Sequence, residues 1–412
     1  MPQDRAKTVF LHIGLHKSGT TYLQGVLRAN RAALAAEGVH FPGGPGQPVH
    51  TFAVYDLFGR RPRGSGDDRI SGQWQAMTEL VLADPAPVSL LSEEATSLAS
   101  PKQARAAVES FPGCEVHVVV TARDLARVAL SAWQEDVKSD ETWTWRAWAD
   151  AVANPGRRAT APGRGFWLRQ DLPAVLDVWG ALLPRHRVHV VTVPPPGTPR
   201  TELLGRFASV AGFDAAALRE QPSWDNPSTG VTGTEVLRRM NERMHRRLNQ
   251  RQYHDVVEVT LAPILAAATN ARLRLPDEDR GWVEVESRRI RDAVRQAGYR
   301  VVGDLDDLAP QITEDGRDPG TATDPELLDT ALQALAGLTE AFGKARWARP
   351  AASLNRVPAR GRAGGAGSTA RSLAFRGKRA AVNVADRNQA VAKGLAWFLR
   401  VRTARTRRRA RP

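Results

Sequence analysis

A lysine stands in a glycine-bearing loop near the start of the chain, where an apolar run gives way to a helical pattern. The loop reads GLHKSGTT and extends from Gly14 to Thr21. The backbone N–H groups of such a loop, together with the N-terminus of the following helix, attract anions. The common nucleoside-triphosphate loop places its lysine directly after its second glycine, whereas here Thr20 follows Gly19 and Lys17 precedes it. The pattern therefore predicts a phosphate-type site that differs from the usual ATP or GTP loop.

A second polar pair follows another apolar run. The segment CEVHVVVTARD contains Arg123 at its end, and Ser131 comes eight positions later, about two helical turns on. Ligands of open α/β sheets bind at the carboxyl ends of strands, and an arginine with a hydroxyl can hold a phosphate dianion. Taken alone, the pattern is explained more simply by an ion pair of Arg123 with Asp124 and an exposed Ser131. Arg127, one turn from Arg123, is interpreted as a solvated charge.

Apolar runs predict the strands that position these residues. They are KTVFLHIG, PVSLLSEE (87–94), CEVHVVVTARD (114–124) and RHRVHVVTV (185–193). Helical patterns separate or follow them at 101–110, 124–136, 171–183, 282–297 and 324–342. Strands that alternate with helices predict an α/β fold with a central parallel sheet covered by helices on both faces, followed by a helical second half. The Gly, Pro and Arg content of 42–72 predicts a long mobile excursion.

The charge of the chain is unevenly distributed. Residues 344–412 hold nineteen Lys or Arg and one acid, Asp386, a local charge of +18. Since the formal net charge is +14, residues 1–343 carry −4. We therefore predict one α/β domain over 1–343 and a basic, low-complexity linker and tail over 344–412, and we expect no specific nucleic-acid partner.

The two motifs resemble those of a known family. HIGLHKSGTTYL resembles the 5′-phosphosulfate-binding loop of sulfotransferases that use PAPS (3′-phosphoadenosine 5′-phosphosulfate), and Arg, seven residues and Ser resemble their 3′-phosphate motif. The resemblance covers about 1–310, is specific at the two motifs and loose elsewhere, and lacks the family's Arg-Lys-Gly lid element. It implies a three-layer fold of the P-loop type, PAPS as donor, PAP (3′,5′-bisphosphoadenosine) as product and no required metal. The implied nucleotide-binding residues are His16, Lys17, Ser18, Gly19, Thr20, Thr21, Tyr22, Arg123 and Ser131.

The same resemblance implies the catalytic groups. Lys17 is expected to stabilise the charge that develops on the leaving oxygen. Family members present a histidine or carboxylate base from a neighbouring strand, and LLSEEATSL offers Glu94 and Glu93 there. Because neighbouring strand residues point to opposite faces, one of the two is expected to face the site, and we choose Glu94, with Glu93 second and His16 third. The alternative is an acidic pair that caps the next helix.

The acceptor is open at this stage: a small molecule, a glycan or a lipid, presented through a hydroxyl or an amine. Four tryptophans follow the second motif, Trp133, Trp143, Trp145 and Trp148. We interpret Trp145 and Trp148 as packing a helix on the sheet, in preference to lining an acceptor site. Two other functions stay open, a small-molecule kinase and a nucleotide-binding protein of this fold without sulfotransfer.

The C-terminal tail and the single cysteine indicate where in the cell the protein is expected. The C-terminal segment reads AVNVADRNQAVAKGLAWFLRVRTARTRRRARP. Its apolar residues share one side of a predicted helix, and an arginine cluster follows them. This combination is typical of peripheral contact with an anionic membrane. The alternative is a disordered basic tail, or one that contacts nucleic acid nonspecifically. One cysteine, Cys114, precludes an intramolecular disulfide, and we see neither a signal-peptide pattern nor eighteen consecutive apolar residues. The expected location is cytoplasmic, with peripheral contact at the inner membrane surface through the tail.

Overall fold

The computed structural model describes residues 6–60, 69–220, 228–268 and 271–348. Within them one sheet holds β1 (Thr8–His12), β2 (Val39–His40), β3 (Val88–Ser92), β4 (Glu115–Ala122), β5 (Val188–Thr192) and β6 (Arg300–Val302). The order across the sheet is β2-β3-β1-β4-β5-β6, and every neighbouring pair is parallel. Because β1 lies between β3 and β4, the segments that follow these three strands meet at one edge of the sheet.

Helices connect the strands. Before β5 they are α1 (Thr20–Ala29), α2 (Arg31–Ala36), α3 (His50–Leu57), α4 (Gln73–Ala83), α5 (Pro101–Glu109), α6 (Leu125–Lys138), α7 (Trp145–Ala153), α8 (Ala161–Gln170) and α9 (Leu172–Gly180). After β5 they are α10 (Arg200–Ala211), α11 (Gly230–Met244), α12 (Gln250–Tyr253), α13 (Ala262–Ala268), α14 (Arg280–Ala297) and α15 (Asp324–Ala348). A π-helical stretch, His254–Leu261, joins α12 to α13. The part of the chain after β5 is therefore mainly helical, as the sequence predicted.

Neighbouring residues of the inner strands enter two separate apolar cores. Val9 and Leu11 of β1 pack in one core, which also contains residues of α6 and α9. Phe10 packs in the other core with Leu23 of α1 and Phe207 of α10. The fold is accordingly a three-layer α/β fold, with helices on both faces of a central parallel sheet, and this confirms the predicted α/β class.

The predicted strands correspond to β1, β3, β4 and β5, and the predicted helices to α5, α6, α9, α14 and α15. The sequence did not predict β2 and β6, which are two and three residues long. Trp145 and Trp148 are buried in the core, which confirms their interpretation as packing residues, and Trp133 is buried there as well. Trp143 packs partly buried against the same core.

The predicted excursion over 42–72 needs a correction. Residues His50–Leu57 form helix α3, and Ala53 and Val54 of that helix are buried in the core. His50 also contacts the backbone of Ser92 in β3 through Nδ1, at 3.1 Å from both its N and its O. The prediction of a continuous loop is wrong there because the glycines and prolines on either side obscured a short apolar helix. Residues 61–68 of the excursion lie outside the described residues.

The α/β architecture belongs to a compact unit, Met1–Lys344. The predicted linker and tail helix fall almost wholly in 349–412, outside the described residues, so the proposed division of the chain stays a prediction. Among the described helices none is both long enough and apolar enough to cross a membrane.

Candidate functional site

The loop between β1 and α1 is held against the end of β4. Ile13 N donates to Val119 O at 3.0 Å and Leu15 N donates to Thr121 O at 2.6 Å. Gly14 and Gly19 have φ values of 97° and 86°, and Lys17 between them has a φ of 63°. A positive φ is readily adopted by glycine and seldom by lysine, so the loop holds a strained turn at the residue predicted to bind the anion.

The side chain of Ser18 lies beneath the loop. Its Oγ donates to Leu15 O at 2.5 Å and shares a hydrogen bond with Thr121 Oγ1 at 2.6 Å. His12 continues this network to Thr121 Oγ1 at 3.2 Å, and burial lowers the pKa of His12 to about 3, so its ring is neutral. The Ser18 hydroxyl therefore holds the loop in place, and the group that it can offer to a ligand is its backbone N–H.

Lys17 makes an ion pair across the cleft. Its Nζ lies 2.7 Å from Oε2 of Glu135 on α6, and the side chains are 24% and 35% exposed. Burial would raise the pKa of Glu135, but the positive charges of Lys17, Lys138 and Arg169 outweigh that effect and the pKa lies below its ordinary value. Glu135 is thus an ionised partner for Lys17.

Glu94 begins a short 3-10 turn directly after Glu93, which follows β3. Thr20, the first residue of α1, donates from Oγ1 to Glu94 Oε2, and a Cβ atom added to Gly14 would lie 3.1 Å from Glu94 Cβ. The loop can approach this closely because position 14 has no side chain. Burial raises the pKa of Glu94, although Thr20 and Lys17 oppose the rise.

Glu93 points away from the loop. Its Oε2 accepts from Thr51 Oγ1 at 2.5 Å, and its Oε1 accepts from Ala95 N at 3.2 Å. Burial raises the pKa of Glu93 as well. The two adjacent glutamates therefore have different environments, and the one beside the Lys17 loop is Glu94.

His16 packs against Glu94 outside the cleft lining. Its Nε2 lies 4.0 Å from Glu94 Oε1, and its backbone O accepts from Gln170 Nε2 at 2.9 Å. Burial, followed by the charges of Arg169 and Lys17, lowers the pKa of His16 to about 3. The ring is therefore neutral and lies behind the loop.

Arg123 lies between the end of β4 and the loop. Its Nη1 approaches Lys17 O at 3.5 Å, while its buried Nε has no hydrogen-bond partner among the described residues. Burial, together with the charge of Arg127, lowers the pKa of Arg123 to about 10. Arg127 is bound to Asp124 and donates from Nη2 to Pro194 O at 3.1 Å. The guanidinium that retains donors for a ligand is that of Arg123.

Lys17, Glu94, Arg123 and Glu135 line one cleft of about 490 Å³, a volume typical of small-molecule sites. Ser131 reaches the cleft from α6, where its Oγ donates to Arg127 O at 2.8 Å. The segment 193–199, which reads VPPPGTP and follows β5, forms another wall of the cleft. At that wall the Arg200 guanidinium lies 5.9 Å from the centre of the Tyr22 ring.

A larger surface cleft, of about 570 Å³, lies beside Arg146. Arg146 is already paired there with Glu278 at 2.6 Å and with Asp279 at 2.9 Å. Lys17 is paired as well, with Glu135, but its cleft also contains Arg123, whose buried Nε has no hydrogen-bond partner among the described residues, so it is the better anion site. Within the described ranges no group of three or more His, Cys, Asp or Glu is arranged to hold a metal ion.

The structure brings most of the predicted site residues to the cleft. Those that line it are Lys17, Gly19, Thr20, Thr21, Tyr22, Glu94, Arg123 and Ser131. The side chains of His16 and Ser18 lie behind or beneath the loop, and Glu93 faces α3. The sequence analysis missed further lining residues, namely Gln134, Glu135, Lys138 and Arg200. Helical spacing carried a signal for two of them, because Glu135 and Lys138 follow Ser131 by four and seven positions.

Comparisons with known proteins add one similarity. No protein-family model matches the chain, and no curated protein matches it. A solved structure described as a sulfotransferase from Alicyclobacillus acidocaldarius is similar to this chain with a TM-score of 0.36 and 18% sequence identity, over 53% of this chain and 86% of that chain. At this score the similarity carries no argument about the site, whose interpretation rests on its own residues.

Proposed function

We propose that the protein is a PAPS-dependent sulfotransferase that transfers a sulfuryl group from PAPS to a hydroxyl or amine of a small molecule, glycan or lipid. The observation that carries the proposal is that the Lys17 loop and the Arg123–Ser131 pair line the same cleft, with Glu94 against the loop. The cytoplasmic location and the membrane contact of the tail stay predictions from the sequence.

The cleft suits a ligand with two separated anionic groups. The loop and the N-terminus of α1 favour one anionic group beside Lys17. Arg123 favours a second, because a buried guanidinium nitrogen without a partner gains a charge-assisted hydrogen bond when an anion arrives. Tyr22, beneath Arg200, supplies an aromatic ring for a base. PAPS has this combination, with its phosphosulfate, its 3′-phosphate and its adenine.

Different residues of the cleft have different roles in the transfer. A bond forms between the acceptor oxygen and sulfur while the bond from sulfur to the bridging phosphate oxygen breaks, and PAP leaves. Lys17 stabilises the charge on the departing oxygen. Glu94 takes the proton of the acceptor hydroxyl, and a pKa raised by burial makes its carboxylate a stronger base at neutral pH.

The residues of the site fit a kinase less well than they fit a sulfotransferase. The lysine that follows the second glycine in common triphosphate loops is replaced by Thr20, and the lysine of this loop, Lys17, precedes that glycine.

Calorimetric titration of the full chain with PAP and, separately, with ATP and Mg²⁺ tests the donor. PAP is expected to bind at least tenfold more tightly than ATP. The second measurement is PAP release from PAPS with a panel of phenols, sugars and amines. PAP binding without release in the presence of any acceptor would favour a nucleotide-binding protein without transfer, and preferential ATP binding would contradict the proposal.

A further inference from the structure

Helix α15 exposes a regular row of apolar side chains. Leu328, Leu332, Leu335 and Phe342 are 62%, 57%, 60% and 69% exposed. With Thr339 they succeed one another by four, three, four and three positions. This alternation places all five on one side of the helix and is the spacing found in the contact surface of a coiled coil. We call this row of five residues the seam.

The opposite side of α15 packs on the protein and fixes the direction of the seam. Leu327, Thr330 and Ala334 are buried. Gly337 lies so close to α13 that an added Cβ would be 2.7 Å from Cγ2 of Ile264. Because these contacts set the rotation of α15 about its axis, the seam is held outward over four turns. Scattered exposed leucines are ordinary on protein surfaces, whereas a continuous apolar row indicates an interaction surface.

The charges at the two ends of the seam indicate which partner fits it. Asp329 lies near the beginning of α15, next to Leu328, while Lys344 and Arg346 lie near its end. All three side chains are exposed, but Lys344 is already paired with Glu340 at 2.6 Å, so of the two cations Arg346 is the one offered to a partner. If a second copy of the helix packs in antiparallel orientation, Asp329 of each chain comes beside the basic end of the other. A parallel pair would bring like charges together and lose these contacts.

We propose that two copies of this protein associate through antiparallel pairing of α15 along the seam. Since a and d positions face each other in an antiparallel pair, Leu335 meets Thr339 of the partner subunit and Leu332 meets Phe342 of the partner subunit. Leu328 lies against the aliphatic stem of Arg346 of the partner subunit, whose guanidinium reaches Asp329. With four large apolar side chains per chain, the interface is small, and the dimer is expected to depend on concentration.

Sedimentation velocity of the full chain, at about 1 to 100 µM, tests this pairing. The wild type is expected to shift from monomer to dimer over this range, and Leu335→Glu should remain monomeric. Leu168→Glu is the matched control, because Leu168 is 55% exposed on α8 and should not affect association. Circular dichroism confirms that each variant is folded. A wild type that stays monomeric, or a dimer that Leu335→Glu leaves unchanged, would overturn the proposal.

A charge exchange tests the orientation. Asp329→Arg should weaken the dimer because it faces Arg346 of the partner subunit, and Asp329→Arg combined with Arg346→Asp should restore it. Failure of the double variant to recover the wild-type dissociation constant would contradict the antiparallel arrangement.

Discussion

The Nζ atom of Lys17 lies 2.7 Å from Oε2 of Glu135, so the loop after β1 is joined to α6 across the cleft. The lysine expected to bind the donor thus already has an anionic partner. A phosphosulfate that binds here has to share the Lys17 ammonium group with Glu135 or displace the Glu135 carboxylate from it.

Glu135→Gln should therefore strengthen PAP binding. The substitution removes a negative charge beside the ligand's anionic group and keeps the size of the side chain. We expect a dissociation constant about tenfold lower, equivalent to about 1.4 kcal/mol. Calorimetry at low ionic strength measures it, with Glu135→Asp as the control that retains the charge. An unchanged or weaker affinity for Glu135→Gln would show that the carboxylate does not compete with the ligand.

Lys17→Ala should abolish transfer, because it removes the positive charge beside the leaving oxygen. The measurement is PAP release from PAPS under conditions in which the wild type is active. Arg28→Ala, an exposed arginine of α1, is the control for loss of a surface charge. Near-native turnover of a folded Lys17→Ala variant would contradict the role of the loop.

Arg123→Ala should distinguish ligands by their 3′-phosphate. We expect PAP binding to weaken by about 2–5 kcal/mol, the usual effect of removing one member of a buried charged pair. Binding of adenosine 5′-phosphate, which lacks the 3′-phosphate, should change much less. Equal losses for both ligands in calorimetric titrations would assign Arg123 a role in the stability of the loop.

Glu94→Gln should leave PAP affinity nearly unchanged and lower transfer by roughly 10²–10⁴-fold, the usual contribution of a general base. Glu93→Gln is the matched control, since its carboxylate is bound to Thr51 and faces away from the loop. Turnover and PAP affinity are measured for both variants. If Glu93→Gln were the inactive one, the base would lie on the side of β3 that faces α3; if both stayed active, His16 would be the next candidate.

The pH profile supplies a separate check on Glu94. Because burial raises its pKa, the carboxylate accepts a proton at a pH above the ordinary range for glutamate. Transfer should therefore decline, as the pH falls, at a higher pH than an exposed glutamate would give. Glu94→Gln should remove this decline from its residual activity. A residual activity with the same acidic decline would assign it to another group.

Buried histidines should make the fold sensitive to acid. Burial, with the neighbouring His117, lowers the pKa of His189 to about 4, and its side chain is 2% exposed. The unfolded chain takes up a proton near pH 6.5 while the folded chain does not, so stability is full above that pH and declines between about 6.5 and 4.

One such histidine accounts for about 1.4 kcal/mol of the free energy of unfolding lost between pH 7.5 and 5.5. His189→Gln should reduce the measured loss by that amount in urea denaturation at the two pH values. His245→Asn, at an exposed position that does not act on His189, is the control. Parallel pH dependence of the wild type and His189→Gln would contradict the neutral state of His189.

The part of the site that could be predicted from the sequence is the part set by regular elements. Apolar runs predicted β1, β3 and β4, and the parallel arrangement brought Lys17, Glu94 and Arg123 to one edge of the sheet. The position of the Ser18 hydroxyl could not be predicted, because the direction of a loop side chain depends on local dihedral angles such as the positive φ of Lys17. Glu135 could have been predicted from helical spacing, because it follows Ser131 by four positions on α6 and therefore shares its side of the helix.

The proline-rich wall at 193–199 makes the distribution of main-chain hydrogen-bond donors around the cleft uneven. Pro194, Pro195, Pro196 and Pro199 have no backbone N–H, so these four positions offer a ligand no main-chain donor. The carbonyls of Pro194, Pro195 and Pro199 already accept hydrogen bonds from Arg127, Thr198 and Glu202. Main-chain donors for an anionic group are therefore sparse along this wall, whereas the Lys17 loop and the N-terminus of α1 supply them elsewhere in the lining of the same cleft.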